Sequence, residues 1–159
     1  MPAGSEPLPT TVPLPHTFRP FGVRIAAGFF AVVLFGTTAV IWFAFPQETR
    51  DQFTTFQRLT VLAIGAVVAT AGFALARSRV IAHDDAVTVV NGFKARRYEW
   101  NEILAITLVS GSPWAEIDLS DGTSVAAMGI QGSDGSRAVR QVKQVRLLVA
   151  QQSRTDRND

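Results

Sequence analysis

The sequence predicts a membrane-anchored α+β chain: a two-helix transmembrane hairpin, then an antiparallel β meander closed by a C-terminal helix. Three observations carry that expectation. Residues 25–45 contain no charged side chain, and a helix of that length spans roughly 32 Å, enough to cross the hydrocarbon core of a bilayer. A second apolar run, Leu59 to Ala76, lies between Arg58 and Arg77. From Arg79 onward, short alternating segments broken by Gly, Asn, Asp and Pro replace the long runs, which is the pattern of strands and tight turns.

Composition limits what such a chain can do. Of its 159 residues, about forty belong to the two apolar runs, which leaves room for one small domain. Those runs account for the 47% hydrophobic content. The absence of cysteine excludes disulfides, thiolate metal sites and cysteine nucleophiles, and it fits a domain facing the cytosol. A net charge of +2 with only two lysines, Lys94 and Lys143, is too diffuse for a nucleic-acid interface and attracts anionic lipid weakly. The only histidines are His16 and His83, and with no nucleophile motif beside them a catalytic triad lacks its parts.

Residues 1–20 carry six prolines with Gly, Ser and Thr between them and read as a disordered tail. Cleavage as a signal peptide is disfavoured, because the apolar run is long and Trp42, Phe43 and Phe45 crowd the end where small residues would be needed. Residues 21–77 form the hairpin, with helices over about 25–45 and 59–76 and a connection at 47–58 whose Phe53 and Phe56 suit the interface. Gly65, Ala69 and Gly72 recur at helical spacing opposite Gly28, Ala31 and Gly36. They serve either close helix packing or lipid-facing filler. Arg19 and Arg24 precede the first helix, Arg50 and Arg58 lie in the loop, and Arg77, Arg79, Lys94, Arg96 and Arg97 follow the second. That distribution places both termini and the domain on the cytoplasmic side of the inner membrane.

Residues 78–152 form the soluble domain. Val80 to His83 is a lead-in strand. Ala86 to Val90 and Phe93 to Glu99 flank Asn91-Gly92, a dipeptide that tolerates positive φ and so marks a hairpin. Ile103 to Val109 follows, then a break at Ser110 to Pro113. Trp114 to Leu119 alternates apolar and polar residues, and Asp121-Gly122 turns the chain into Thr123 to Ile130. A helix from Ser136 to Gln152 presents a stripe of Ala138, Val142, Val145 and Val149, with Val139 and Leu148 beside it, to close the sheet. Residues 153–159 are a polar, disordered tail.

Several of these residues resemble a known family. The Val87 to Val89 strand, the Trp100-Asn101-Glu102-Ile103 turn, Gly111-Ser112 ahead of Trp114, and the Asp121-Gly122-Thr123 hairpin are similar to bacterial PH-like domains of small actinobacterial membrane proteins. The resemblance covers residues 78 to 150. It implies a PH-like fold, a strongly bent antiparallel β-sheet or partly open barrel capped by a C-terminal helix, and a scaffold used for lipid, peptide and protein binding rather than an activity.

The candidate contact surface is Lys94, Arg96, Arg97 and Tyr98. Strand alternation puts Lys94 and Arg96 on one face, where they can meet phosphate oxygens or a partner. PH domains that hold inositol phosphates pair such a basic-x-Arg pattern with a basic residue in the preceding strand, and Val87 to Val90 offers none. Trp100 and Ile103 read as core anchors of a corner, and Trp114 as either a core plug or a contact. The glycine-rich stretch Gly129 to Ser136 lacks the Lys-Ser/Thr of a phosphate loop. His83-Asp84-Asp85 reads as a solvated turn, and Glu116 with Asp118 as outward charges on a half-buried strand. No catalytic residue, cofactor or metal is expected. The expected role is a non-catalytic binding or scaffolding module for cytoplasmic proteins near the inner leaflet, with an anionic-lipid-binding accessory of an envelope enzyme as the alternative.

Overall fold

The computed structural model describes residues 12–155, which divide into a helical unit, Phe21–Arg77, and a β unit built from the residues up to Pro20 together with those from Ser78 onward.

In the helical unit, α1 (Gly22–Ala44) and α3 (Thr55–Arg77) are each 23 residues long, apolar, and wholly unburied. Each reaches about 34 Å, long enough to cross a membrane. The hydroxyls of Thr38, Thr60 and Thr70 donate to carbonyls four residues back, so these polar groups are satisfied within their own helices. Gly65 packs against the Phe35 ring and Gly72 against Ala27, while Gly28 and Gly36 face open space. The small residues of α3 thus receive side chains of α1 other than the glycines expected. The connection is more ordered than a plain loop. It contains α2 (Gln47–Gln52), and Thr54 and Gln57 exchange hydrogen bonds that start α3. Arg58 donates to the carbonyls of Phe53 and Arg50 at 3.1 and 2.7 Å and lies over the Trp42 ring.

The β unit begins in the segment expected to be a disordered tail. His16–Phe18 forms strand β1, paired antiparallel with β2 (Arg79–Ala82) in the register His16↔Ala82, Thr17↔Ile81 and Phe18↔Val80. Phe18 is 1% exposed, and Val12 and Pro20 are also buried. The expectation for residues 12–20 is therefore corrected: the core gains more from burying Phe18 than the chain loses by ordering this segment. The expected tails at 1–11 and 156–159 lie outside the described residues.

From β2 the sheet continues through β3 (Ala86–Asn91) to β4 (Lys94–Glu99), in the order β1-β2-β3-β4. A second sheet holds β5 (Ile103–Thr107), β6 (Trp114–Leu119) and β7 (Ser124–Gln131). The partly open barrel is corrected to two sheets over one core. The ladder breaks between β4 and β5 at a 3-10 turn, Trp100–Glu102. At the other corner β7 crosses β2 so closely that a Cβ on Gly129 would sit 2.5 Å from backbone atoms of Arg79.

Asn91 joins the sheets. Its side-chain amide donates to the Ala126 carbonyl at 2.6 Å and accepts from the Met128 N–H at 3.0 Å. This shifts the expected Asn91-Gly92 turn by one residue, because Asn91 pairs with Lys94 in the ladder and the turn is Gly92-Phe93, with φ of 58° at Gly92. At the second hairpin Gly122 takes φ of 83°, and Asp121 accepts from the N–H and hydroxyl of Thr123. These two bonds hold the Asp121 carboxyl below the usual carboxylate range. Helix α4 (Ser136–Thr155) closes the core with Ala138, Val142, Val145 and Leu148. Val139, placed beside that stripe in sequence, turns outward, and Gln141 is buried in its stead, donating to the Arg19 carbonyl.

Candidate binding surface on the β4 edge

Strand β4 is the last of its sheet, and four consecutive residues, Lys94 to Arg97, are exposed along it. Lys94, Arg96 and Tyr98 share the face of Val87 and Val89, which they oppose across the ladder together with Asn91. That face is open at the turn end and closed over the core at the other. Lys94 and Arg96 consequently reach solvent, whereas Tyr98 is 9% exposed and belongs to the core. Tyr98 is thus corrected from contact residue to core residue. Arg97 lies on the opposite face and is also altered in role, since its guanidinium donates to Asp85. That bond, the largest influence on Asp85, holds its carboxyl below the usual range. The free cationic surface is therefore Lys94 and Arg96, beside the exposed ring of Phe93.

The far end of β4 opens into a cleft of about 420 Å³ lined by Asp84, Asp85, Arg97, Glu99, Asn101 and Gln152, among others. Part of its wall comes from Trp100 and Asn101 of the Trp100-Asn101-Glu102-Ile103 corner. Glu99 and Glu102 each accept from the other's backbone N–H, the Glu102 carboxylate receiving Glu99 N at 2.7 Å. Trp100 is 3% exposed and donates from Nε1 to the His83 carbonyl at 3.1 Å, while Ile103 is buried. Asn101 and Glu102 remain at the surface. Trp114, left open between core and contact, is half-buried.

The remaining motifs have structural roles. His83 N–H closes the β2–β3 turn on the Ala86 carbonyl, and no group of three His, Asp or Glu side chains among the described residues is placed to hold a metal. Asp118 accepts from the Ser124 hydroxyl. Gly132 donates to the Pro113 carbonyl at 3.0 Å, which docks the glycine-rich stretch on the turn before β6.

The two sheets, the corner between them and the capping helix agree with what comparison of the sequence finds. Residues 77–147 match the family described as bacterial PH domain. The β unit thus carries a match to the bacterial PH domain family. The match begins at the end of α3, so the β unit takes β1 from outside the matched segment. Two uncharacterized proteins, Rv1417 of Mycobacterium tuberculosis and Mb1452 of Mycobacterium bovis, are each 34% identical over 99 residues, or 62% of this chain. The chain spans 64% of the length of these curated relatives. No solved structure matches the chain.

Proposed function

We propose that the chain is a non-catalytic binding or scaffolding module that the helical hairpin anchors in the inner membrane, with the PH domain presented to cytoplasmic proteins. The observation that carries this reading is the exposed, cationic β4 edge on a PH domain whose first strand precedes the hairpin and whose second follows it. Paired strands cannot lie on opposite sides of a bilayer, so the hairpin leaves and returns on one side, which accords with two crossings. The basic residues near α1 and after α3 favour the cytoplasmic side. The alternative, an anionic-lipid sensor serving an envelope enzyme, draws on the same Lys94 and Arg96.

A photoreactive residue replacing Phe93, which is 60% exposed, tests the reading in native membranes of cells carrying the full chain. Protein adducts that disappear when Lys94 and Arg96 become Gln support the module. Adducts that extract with the lipids support the sensor, and darkness of a C-terminal reporter that fluoresces only in the cytoplasm defeats the orientation.

A further inference from the structure

The β-sheet edges of the PH domain are unequal. β5 lies against α4, whose Arg146 Nε donates to the Ile106 carbonyl at 2.8 Å. The Ala126 carbonyl and Met128 N–H of β7 are taken by Asn91. β1 offers three residues. β4 is different, because the two-residue turn makes Asn91 and Lys94 a hydrogen-bonded pair. In an antiparallel ladder such pairs alternate, so Lys94, Arg96 and Tyr98 bond inward to β3, and Ala95 and Arg97 direct their N–H and C=O groups away from the sheet. Glu99 N–H is occupied by the Glu102 carboxylate, which ends this run.

We propose that the open β4 edge takes up an extended acidic segment of a partner protein as an additional strand, a proposal that rests on the binding-module reading. The outward groups of Ala95 and Arg97 supply its main-chain hydrogen bonds, as in other strand additions. Lys94 and Arg96 stand side by side on one face and carry no ion pair among the described residues. They select carboxylates two residues apart on the incoming strand, since opposite charges across a ladder attract and like charges repel. A second copy of this chain is a poor occupant, because self-pairing of β4 would bring Lys94, Arg96 and Arg97 against one another. An anionic headgroup would satisfy the two cations but has no use for the outward backbone groups, and this difference makes the proposal testable.

The experiment uses the full chain in zwitterionic detergent and two labelled nine-residue peptides, one alternating Glu with Val and one alternating Lys with Val, read by fluorescence anisotropy. The wild type is expected to bind the acidic peptide and not the basic one, and the K94E/R96E double variant to reverse that preference. Ala95→Pro removes one outward N–H, which an edge strand tolerates, and is expected to weaken acidic-peptide binding about fivefold. Slowed hydrogen exchange at the Ala95 and Arg97 amides in the wild-type complex gives a readout that does not depend on how the proline variant folds. Unchanged exchange at both amides, or no binding of the acidic peptide at ~1 mM, overturns the proposal. Binding to phosphatidylglycerol vesicles that fails in K94E/R96E but persists in Ala95→Pro, with no acidic-peptide binding, overturns strand addition while leaving the binding module standing as a lipid binder.

Discussion

Replacing Gly129 by alanine probes the point where the two sheets of the β unit meet. A Cβ built there lies 2.5 Å from both Cα and C of Arg79 and 2.6 Å from N of Val80. Ordinary carbon contacts are about 3.5–4.0 Å, so β7 and β2 must separate by roughly 1 Å. The obstructing atoms are backbone, with no rotamer to escape into, and the movement strains the neighbouring Asn91 bonds to Ala126 and Met128. Overpacking of a core costs about 1–3 kcal/mol, and this site belongs at the upper end, about 3 kcal/mol. Urea denaturation of the full chain in detergent, followed by tryptophan fluorescence, reads the loss directly. With a urea slope of about 1–3 kcal/mol per molar, the midpoint of the β-unit transition is expected to fall by roughly 1–3 M. Gly28→Ala, at a position with nothing within 4 Å, serves as the control. A Gly129→Ala midpoint equal to that of the control would refute the close crossing of β7 over β2.

Phe18→Ala should cost about 3–5 kcal/mol in the same assay, the range for emptying a buried aromatic site, and a loss under about 0.5 kcal/mol would mean that β1 is not part of the core. Asn91→Ala leaves the Ala126 carbonyl and the Met128 N–H without their partner. A destabilisation of about 2–3 kcal/mol is expected, and a neutral result would remove Asn91 as the link between sheets. Arg97→Gln should return the Asp85 carboxyl toward its ordinary titration range, followed by carbon NMR of the side chain. The sign follows from linkage: a carboxyl depressed in the folded state stabilises above its unfolded pKa, and that contribution fades as pH falls through the folded value. Because Arg97 and Asp85 are both largely exposed, screening leaves little effect on overall stability, so the midpoint is the quantity to measure. An unmoved Asp85 midpoint would contradict the pairing.

What could be read from the sequence was whatever local chemistry determines. The apolar runs of α1 and α3, the glycines at 92 and 122 that permit positive φ, and the Trp100 to Ile103 corner all announce themselves within a few residues. β1 could not be read that way. It is three residues in a proline-rich stretch, and its pairing partner lies beyond the whole hairpin, so only the isolated apolar Phe18 hinted at it. The turn at Asn91 was misplaced by one residue for a similar reason. Its side chain finds two backbone partners in β7, more than thirty residues away, and no local turn preference registers that gain. At the contact surface, alternation groups Lys94 and Arg96 on one face, and the β3–β4 register sets Tyr98 on it as well. Which end of that face the core would cover depends on where the second sheet packs. Likewise the Arg97–Asp85 pair joins β4 to the β2–β3 turn, a tertiary contact without a sequence signature.

The β unit is assembled from chain segments that precede and follow the helical hairpin in sequence, joined by the β1–β2 pairing. Cysteines at positions 17 and 81 test it most directly, because the chain has none of its own and Thr17 and Ile81 are directly opposed between β1 and β2. Such a pair falls within the spacing that a disulfide requires. The T17C/I81C full chain is oxidised in native membranes and then cut at a protease site introduced in the Gln47–Gln52 segment. The β1–β2 pairing predicts fragments that stay joined until a reductant is added, with either single variant giving separate fragments. Fragments of the double variant that separate without reductant would contradict it.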